Sequence, residues 1–151
     1  MAVSINKQSL LAVVAEEISR AAGRSYSEDG VSLYDAIVQK SRDKDFVERT
    51  LQESADVICS ACSRFLDHSY DREEDGAITF EIQESGRRGK ATLFENLIRS
   101  SLVNLIVSKY MSNAQQTDWA QKYNDMAASN ISMLAKELYL KLPPKRMEEQ
   151  Q

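Results

Sequence analysis

Residues 91–111 read ATLFENLIRSSLVNLIVSKYM, and their apolar side chains recur every three to four positions. This period is typical of an α-helix, so the stretch predicts a helix that starts near Ala91 and ends at Met111. Its main apolar stripe is widened by Val103 and Val107 until it covers most of the circumference. A helix that is apolar on nearly all sides is buried on most of them. We therefore expect this helix to lie at the centre of the fold.

Further helices are predicted on both sides of the central one. Residues 112–117 form a polar break, and Thr117 at its end is a candidate N-cap for the next helix. The helix that follows ends before Pro143 and Pro144, and its predicted buried face carries Trp119, Tyr123, Met126, Ala127, Asn130, Leu134 and Leu138. Upstream, apolar periodicity predicts helices over about 6–22, 32–41 and 43–66.

Residues 77–83, AITFEIQ, follow a different period from the rest of the chain. Ile78, Phe80 and Ile82 alternate with polar residues, which indicates a β-strand with one apolar face. A turn at 84–89 and a short return strand ending near Thr92 complete the expected element. The sequence thus predicts one projecting strand or β-hairpin over about 77–92.

The chain has only 5 Gly and 2 Pro in 151 residues. Average usage at this length is about 10 Gly and about 7 Pro, and an all-β fold needs many turn signals. We therefore expect a mainly α fold, a domain of four or five helices over residues 1–144 with the hairpin inserted. Residues 145–151 are expected to be a flexible charged tail.

Charge and cysteine content limit the classes of function. The net charge of −4 argues against a general nucleic-acid binder, which is usually strongly basic. Two nearby cysteines do not make a disulfide framework, so a reducing cytoplasm is the expected compartment. We expect neither a leader nor a membrane contact, because no stretch approaches the roughly 20 apolar residues of a spanning helix.

The predicted strand is the first candidate for an interface. A single strand or two-stranded ribbon is marginal in water, so Ile78, Phe80 and Ile82 need a cover. Either the chain's own helices or a neighbouring subunit supplies it, and we favour a homo-oligomer. On that interpretation, Phe80→Asp weakens assembly and leaves the helical content largely intact.

The segment Gly86-Arg87-Arg88-Gly89-Lys90 places three cations at the expected hairpin tip. It is not a phosphate-binding P-loop, because Glu84 stands at the first glycine position and Ala91 replaces the Ser or Thr. Cations beside a helix N-terminus oppose the helix dipole, which an anion relieves. Arg87, Arg88 and Lys90 are therefore either a solvated turn or a contact for DNA or an acidic partner.

Two patterns in the sequence are candidate metal sites. Cys59 and Cys62 form a CxxC, whose further ligands would be His68 and a carboxylate such as Asp67 or Asp71. Both cysteines fall inside a predicted helix, however, which favours packing over metal or redox chemistry.

The acidic run at 71–76 partly follows the order of a calcium loop. Ile82 stands where the bidentate Glu is needed, so an acidic turn before a strand is favoured. A single histidine, expected at the surface, also gives little support for a Ser-His-Asp hydrolase. We predict neither catalytic residues nor a cofactor.

Residues 77–146 resemble the small helical neck proteins of tailed bacteriophages and prophages, of the head–tail connector or tail-completion type. The resemblance is carried by the strand, the run Leu-Val-Asn-Leu-Ile-Val at 102–107, the helix opening with Trp119 and Tyr123, and the closing stretch 138–146. It implies a non-enzymatic protein that forms rings between portal and tail, through segments that contact neighbouring subunits. It also implies that Arg87, Arg88 and Lys90 face either the DNA channel or an acidic neighbour.

The sequence therefore favours a structural assembly protein, a homo-oligomeric neck component that meets portal, tail or adaptor proteins in the virion. One alternative is a helical adaptor that binds one protein partner by strand addition. The other is a small enzyme or metal-binding domain that uses Cys59, Cys62 and the carboxylates of 71–75.

Overall fold

The computed structural model describes residues 2–22, 44–62, 65–71, 73, 76–83 and 91–139. Three strands, β1 (Ala2–Asn6), β2 (Leu66–Tyr70) and β3 (Ala77–Ile82), form one antiparallel sheet. The four described helices are α1 (Lys7–Ala22), α2 (Lys44–Ala61), α3 (Ala91–Asn113) and α4 (Thr117–Tyr139). The predicted mainly α class is confirmed. The expected short helix at 32–41, the turn at 84–89 and the tail at 145–151 lie outside the described residues.

The apolar helix α3 occupies the centre, as its sequence predicts. It packs against α1, α2 and α4, and Ile98, Leu102 and Ile106 are completely buried. The fully buried Ser101 remains compatible with this core because its hydroxyl donates to the carbonyl oxygen of Leu97 at 2.7 Å.

The chain reverses between α3 and α4 without a glycine. The backbone N–H of Gln116 donates to Met111 O at 2.8 Å, and that of Gln115 donates to Ser112 O at 3.1 Å. Gln115 has a φ of 61°, so these bonds form a Schellman-type helix end with glutamine in the left-handed position. The two long helices then run antiparallel and bury the stripe of Ala120, Tyr123, Ala127, Ile131, Leu134 and Leu138.

Strand β3 is the centre of the sheet, in the order β1-β3-β2. Phe80 pairs with Val3 on one side and His68 on the other. This corrects the expectation of a projecting strand or hairpin over 77–92, because both partners of β3 lie upstream. Ala91 and Thr92, expected in a return strand, instead begin α3.

Two strands were missed because each carries a weak signal. β1 contributes only Val3 and Ile5 before α1 starts, and Asn6 Oδ1 accepts the N–H of Ser9 at 3.0 Å as the helix N-cap. β2, sequence LDHSY, has one aliphatic residue. The predicted helix over 43–66 accordingly ends at Ala61, and Phe65 lies in the turn before β2.

Candidate interaction surface

The proposed interface residues of β3 lie inside the fold of their own chain. Ile78 and Phe80 are 0% exposed and Ile82 is 5% exposed, within one core that also holds residues of the four described helices. This corrects the expectation that the three side chains meet a partner, because their neighbouring strands and helices already cover them. Arg87, Arg88 and Lys90 lie outside the described residues.

The CxxC thiols are poorly suited to redox chemistry. Cys62 is fully buried and Cys59 is partly buried at the end of α2. Burial, followed by the charges of Asp67, Cys62 and Asp56, raises the pKa of Cys59 from 9.0 to about 12. Burial also raises the pKa of Cys62 to about 11. Because the thiolate is the reactive form, both sulfurs are held as unreactive thiols at neutral pH.

We expect alkylation of Cys59 to be about 1,000-fold slower in the native chain than in the unfolded chain, because each pKa unit changes the thiolate fraction about tenfold. Iodoacetamide labelling followed by peptide mass spectrometry, with and without urea, measures the ratio. Ser60→Cys in a chain lacking the two native cysteines gives an exposed reference thiol on the same helix turn. Native and unfolded rates that agree would contradict the buried-thiol assignment.

His68 and the carboxylates that the sequence offers as metal ligands do not form a metal site among the described residues. Within the described ranges, no three or more His, Cys, Asp or Glu side chains are arranged to hold a metal ion. His68 lies in β2 and not in a surface loop; its Nε2 is 3.3 Å from Asp56 Oδ1. Asp71 accepts the N–H of Glu73 at 3.0 Å, in the turn that joins β2 to β3. That turn needs Gly76, because a Cβ there would lie 2.7 Å from the Asp71 side chain.

A buried lysine ties the sheet to the helices. Lys7, at the start of α1, is only 2% exposed, and its Nζ lies 3.3 Å from Glu48 Oε1 of α2. The same ammonium lies 4.8 Å from the centre of the Tyr70 ring of β2. The Tyr70 hydroxyl in turn donates to Glu48 Oε2. We call Lys7, Glu48 and Tyr70 the lysine cluster; sequence reasoning missed it because lysine is normally a surface residue.

One flank of α4 exposes apolar side chains that the core does not use. Met126 is 43% exposed and Met133 is 53% exposed, and their spacing of seven puts them on one side, two turns apart. Trp119, a further seven residues back, is partly buried on the same flank. We call these three residues the methionine flank. The expectation that Met126 belongs to the core is wrong, because the buried stripe runs through Tyr123 and Ala127 instead.

A shallow groove of about 230 Å³ lies on α3 between α2 and α4. Its lining is mixed, with Leu105 and Val57 beside small polar side chains; the lining residues are Thr50, Glu53, Ser54, Val57, Leu105, Ser108, Lys109, Ser112 and Asn124. Ser108 is already engaged, since its hydroxyl donates to Ala120 O at 2.8 Å. The groove therefore separates two helices that both pack on α3.

The outer face of the sheet is polar and acidic. Across its middle, Ser4, Thr79 and Ser69 form a row, with 3.1 Å between the Ser4 and Thr79 hydroxyl oxygens. At one end, Asp67 stands directly opposite Glu81, and both are exposed. No lysine or arginine is among the described strand residues on this face, which are Ala2, Ser4, Asn6, Asp67, Ser69, Ala77, Thr79 and Glu81.

Among the described residues, no helix combines the length and apolarity needed to cross a membrane. The described surface thus offers four features to a partner: the methionine flank, the groove, the acidic sheet face and the outer edges of β1 and β2. Comparison of the chain with protein-family models, curated proteins and solved structures found no match.

Proposed function

We propose that the chain is a non-enzymatic structural assembly protein that forms homo-oligomers through its helical surface. The methionine flank carries this proposal. Methionine side chains are unbranched and adaptable, and they are frequent at protein-binding surfaces. On α4 the two methionines face solvent, while the neighbouring stripe of the same helix packs in the core. Beside its buried stripe, the helix therefore carries two exposed apolar side chains that a partner protein can cover.

Within that class, we propose a neck component of a tailed phage or prophage, which meets portal, tail or adaptor proteins in the virion. The support is the resemblance of α3, α4 and the stretch after them, with the run at 102–107 and the aromatic opening at Trp119 and Tyr123. The strand adds nothing to that support, since β3 is internal to the sheet. Rings in negative-stain micrographs of the purified chain would support the neck assignment, and compact closed dimers would contradict it.

Replacing both exposed methionines by lysine, Met126→Lys with Met133→Lys, should abolish assembly and leave the helical content unchanged. Two ammonium groups on an apolar contact cost far more in the assembly than in the solvated monomer. Light scattering coupled to size exclusion gives the mass, and circular dichroism gives the helicity. Gln121→Lys with Ala128→Lys adds the same charge at exposed positions, also seven residues apart, on the other side of the helix and should leave the mass unchanged. A wild-type chain that is monomeric at every concentration would overturn the proposal.

A strand-addition adaptor is the second candidate, and the sheet edges favour it. β1 and β2 are edge strands, each paired with β3 on one side only within the described part of the chain. An extended peptide could add to either edge, which moves the predicted docking strand away from β3. An adaptor of this kind would stay monomeric, and the methionine substitutions would leave its mass unchanged.

A further inference from the structure

We propose that, in addition to the contact through the methionine flank, the acidic outer face of the sheet docks the basic segment at 86–90 of a second copy of this chain. The inference deepens the proposed assembly function and rests on it. Its starting point is the pair Asp67 and Glu81, which stand directly opposite each other on β2 and β3. Like charges in register across two strands destabilise a sheet. A positively charged partner would offset the repulsion between the two carboxylates by binding both of them.

The character of the face specifies the kind of partner. Every second residue of the three strands points outward, and those side chains are hydroxyl, amide, carboxylate or methyl groups. Such a face does not suit a second apolar sheet, because it lacks the large aliphatic side chains that sheet packing buries. Ser4, Thr79 and Ser69 instead offer hydroxyl groups beside the two carboxylates. A polar, positively charged segment is the matching occupant.

The chain itself contains a segment with that chemistry. Arg87, Arg88 and Lys90 place three positive charges within four residues, in the part of the sequence that joins β3 to α3. Arginine is well suited to the contact, since its guanidinium binds carboxylates with two parallel hydrogen bonds. Each copy then carries both an acidic face and a basic segment. A contact between unlike surfaces is head-to-tail, the type that closes into rings.

A single substitution separates an interface effect from a folding effect. Glu81→Lys places an ammonium opposite Asp67, so the melting temperature of the isolated monomer should rise. The same substitution removes the acidic pair, so self-association should weaken at least tenfold. Sedimentation velocity measures the association, and differential scanning calorimetry at low protein concentration measures the melting temperature. Weaker association together with a lower melting temperature would instead indicate damage to the fold and contradict the proposal.

A charge exchange tests the named partner. Chains with Asp67→Lys and Glu81→Lys, and chains with Arg87→Glu and Arg88→Glu, should each fail to associate alone. Mixed in equal amounts, they should associate again, because each surface then meets its opposite. The association should also weaken between about 0.01 M and about 0.15 M salt, as the screening length falls from about 30 to about 8 Å. Glu16→Lys with Glu53→Lys, an equal charge change at exposed positions of α1 and α2, is the matched control and should associate like wild type.

The outcomes distinguish this inference from the function on which it rests. If wild type associates and the sheet-face variants associate equally well, the docking surface is wrong and the assembly function stands. If Lys145→Glu with Arg146→Glu abolishes association while the Arg87 and Arg88 variant keeps it, the occupant is wrong. If wild type itself never associates, the assembly function fails and this contact fails with it.

Discussion

Phe80→Asp is expected to unfold the domain. Phe80 is 0% exposed at the middle of β3, the strand that holds β1 and β2 together. Loss of a buried phenylalanine costs about 3–5 kcal/mol, and an unpaired carboxylate at the same position adds the cost of burying a charge. Small domains have total stabilities of about 5–15 kcal/mol, so the sum is comparable with the whole.

The measurement is circular dichroism with urea titration at 25 °C. We expect a loss of most of the helical signal, because α1 and α3 both pack against β1 in the same core. Thr79→Asp is the matched control: it places the same residue one position earlier on the outward side of β3, and should cost about 1 kcal/mol or less. A folded Phe80→Asp chain with normal helicity and lost assembly would restore the interface interpretation of β3.

This expectation reverses the one that the sequence alone supports. Alternation at 77–83 shows that one face of the strand is apolar, and that much is confirmed by the burial of Ile78, Phe80 and Ile82. It does not show what covers that face. The cover depends on β1 and β2, which contribute two buried residues and one buried residue respectively, too few for a periodic signal. An internal strand therefore resembled a projecting one.

The long helices were predictable for a physical reason. α3 and α4 each place apolar residues every three to four positions over 23 residues, a pattern long enough to outweigh local exceptions. Helix ends were harder, because the α3 end uses Gln115 where glycine is usual. The exposure of Met126 was harder still to predict, since Met126 is adjacent in sequence to the buried Ala127 and is also apolar. The lysine cluster needed three elements to be placed correctly before its residues could meet.

Removal of Glu48 should be the more damaging of the two charge deletions in the lysine cluster. Glu48→Met leaves the ammonium of Lys7, which is 2% exposed, without its carboxylate partner. An unpaired buried charge costs about 3–5 kcal/mol, and the lower end applies here because Glu48 itself is 37% exposed and water can reach the vacated position. Lys7→Met removes the charge that is expensive to bury and leaves a carboxylate that water can solvate. Its cost should be about 1 kcal/mol or less.

Urea denaturation of the two single variants and the double variant tests this order. The double variant should resemble Lys7→Met, which gives a coupling energy of about 2–3 kcal/mol, at the upper end for neighbouring residues. Glu53→Met on the same helix is the control. Because Glu53 is exposed, its replacement should change the free energy of unfolding by about 0.5 kcal/mol or less. Equal losses of stability for Lys7→Met and Glu48→Met would contradict this order.

The difference between the two variants matters for the sheet because Lys7 lies where β1 becomes α1, and its backbone N–H also donates to Gly76 O at 3.1 Å. A chain that retains the cluster keeps β1 against β3, and with it the acidic face on which the proposed contact between copies depends.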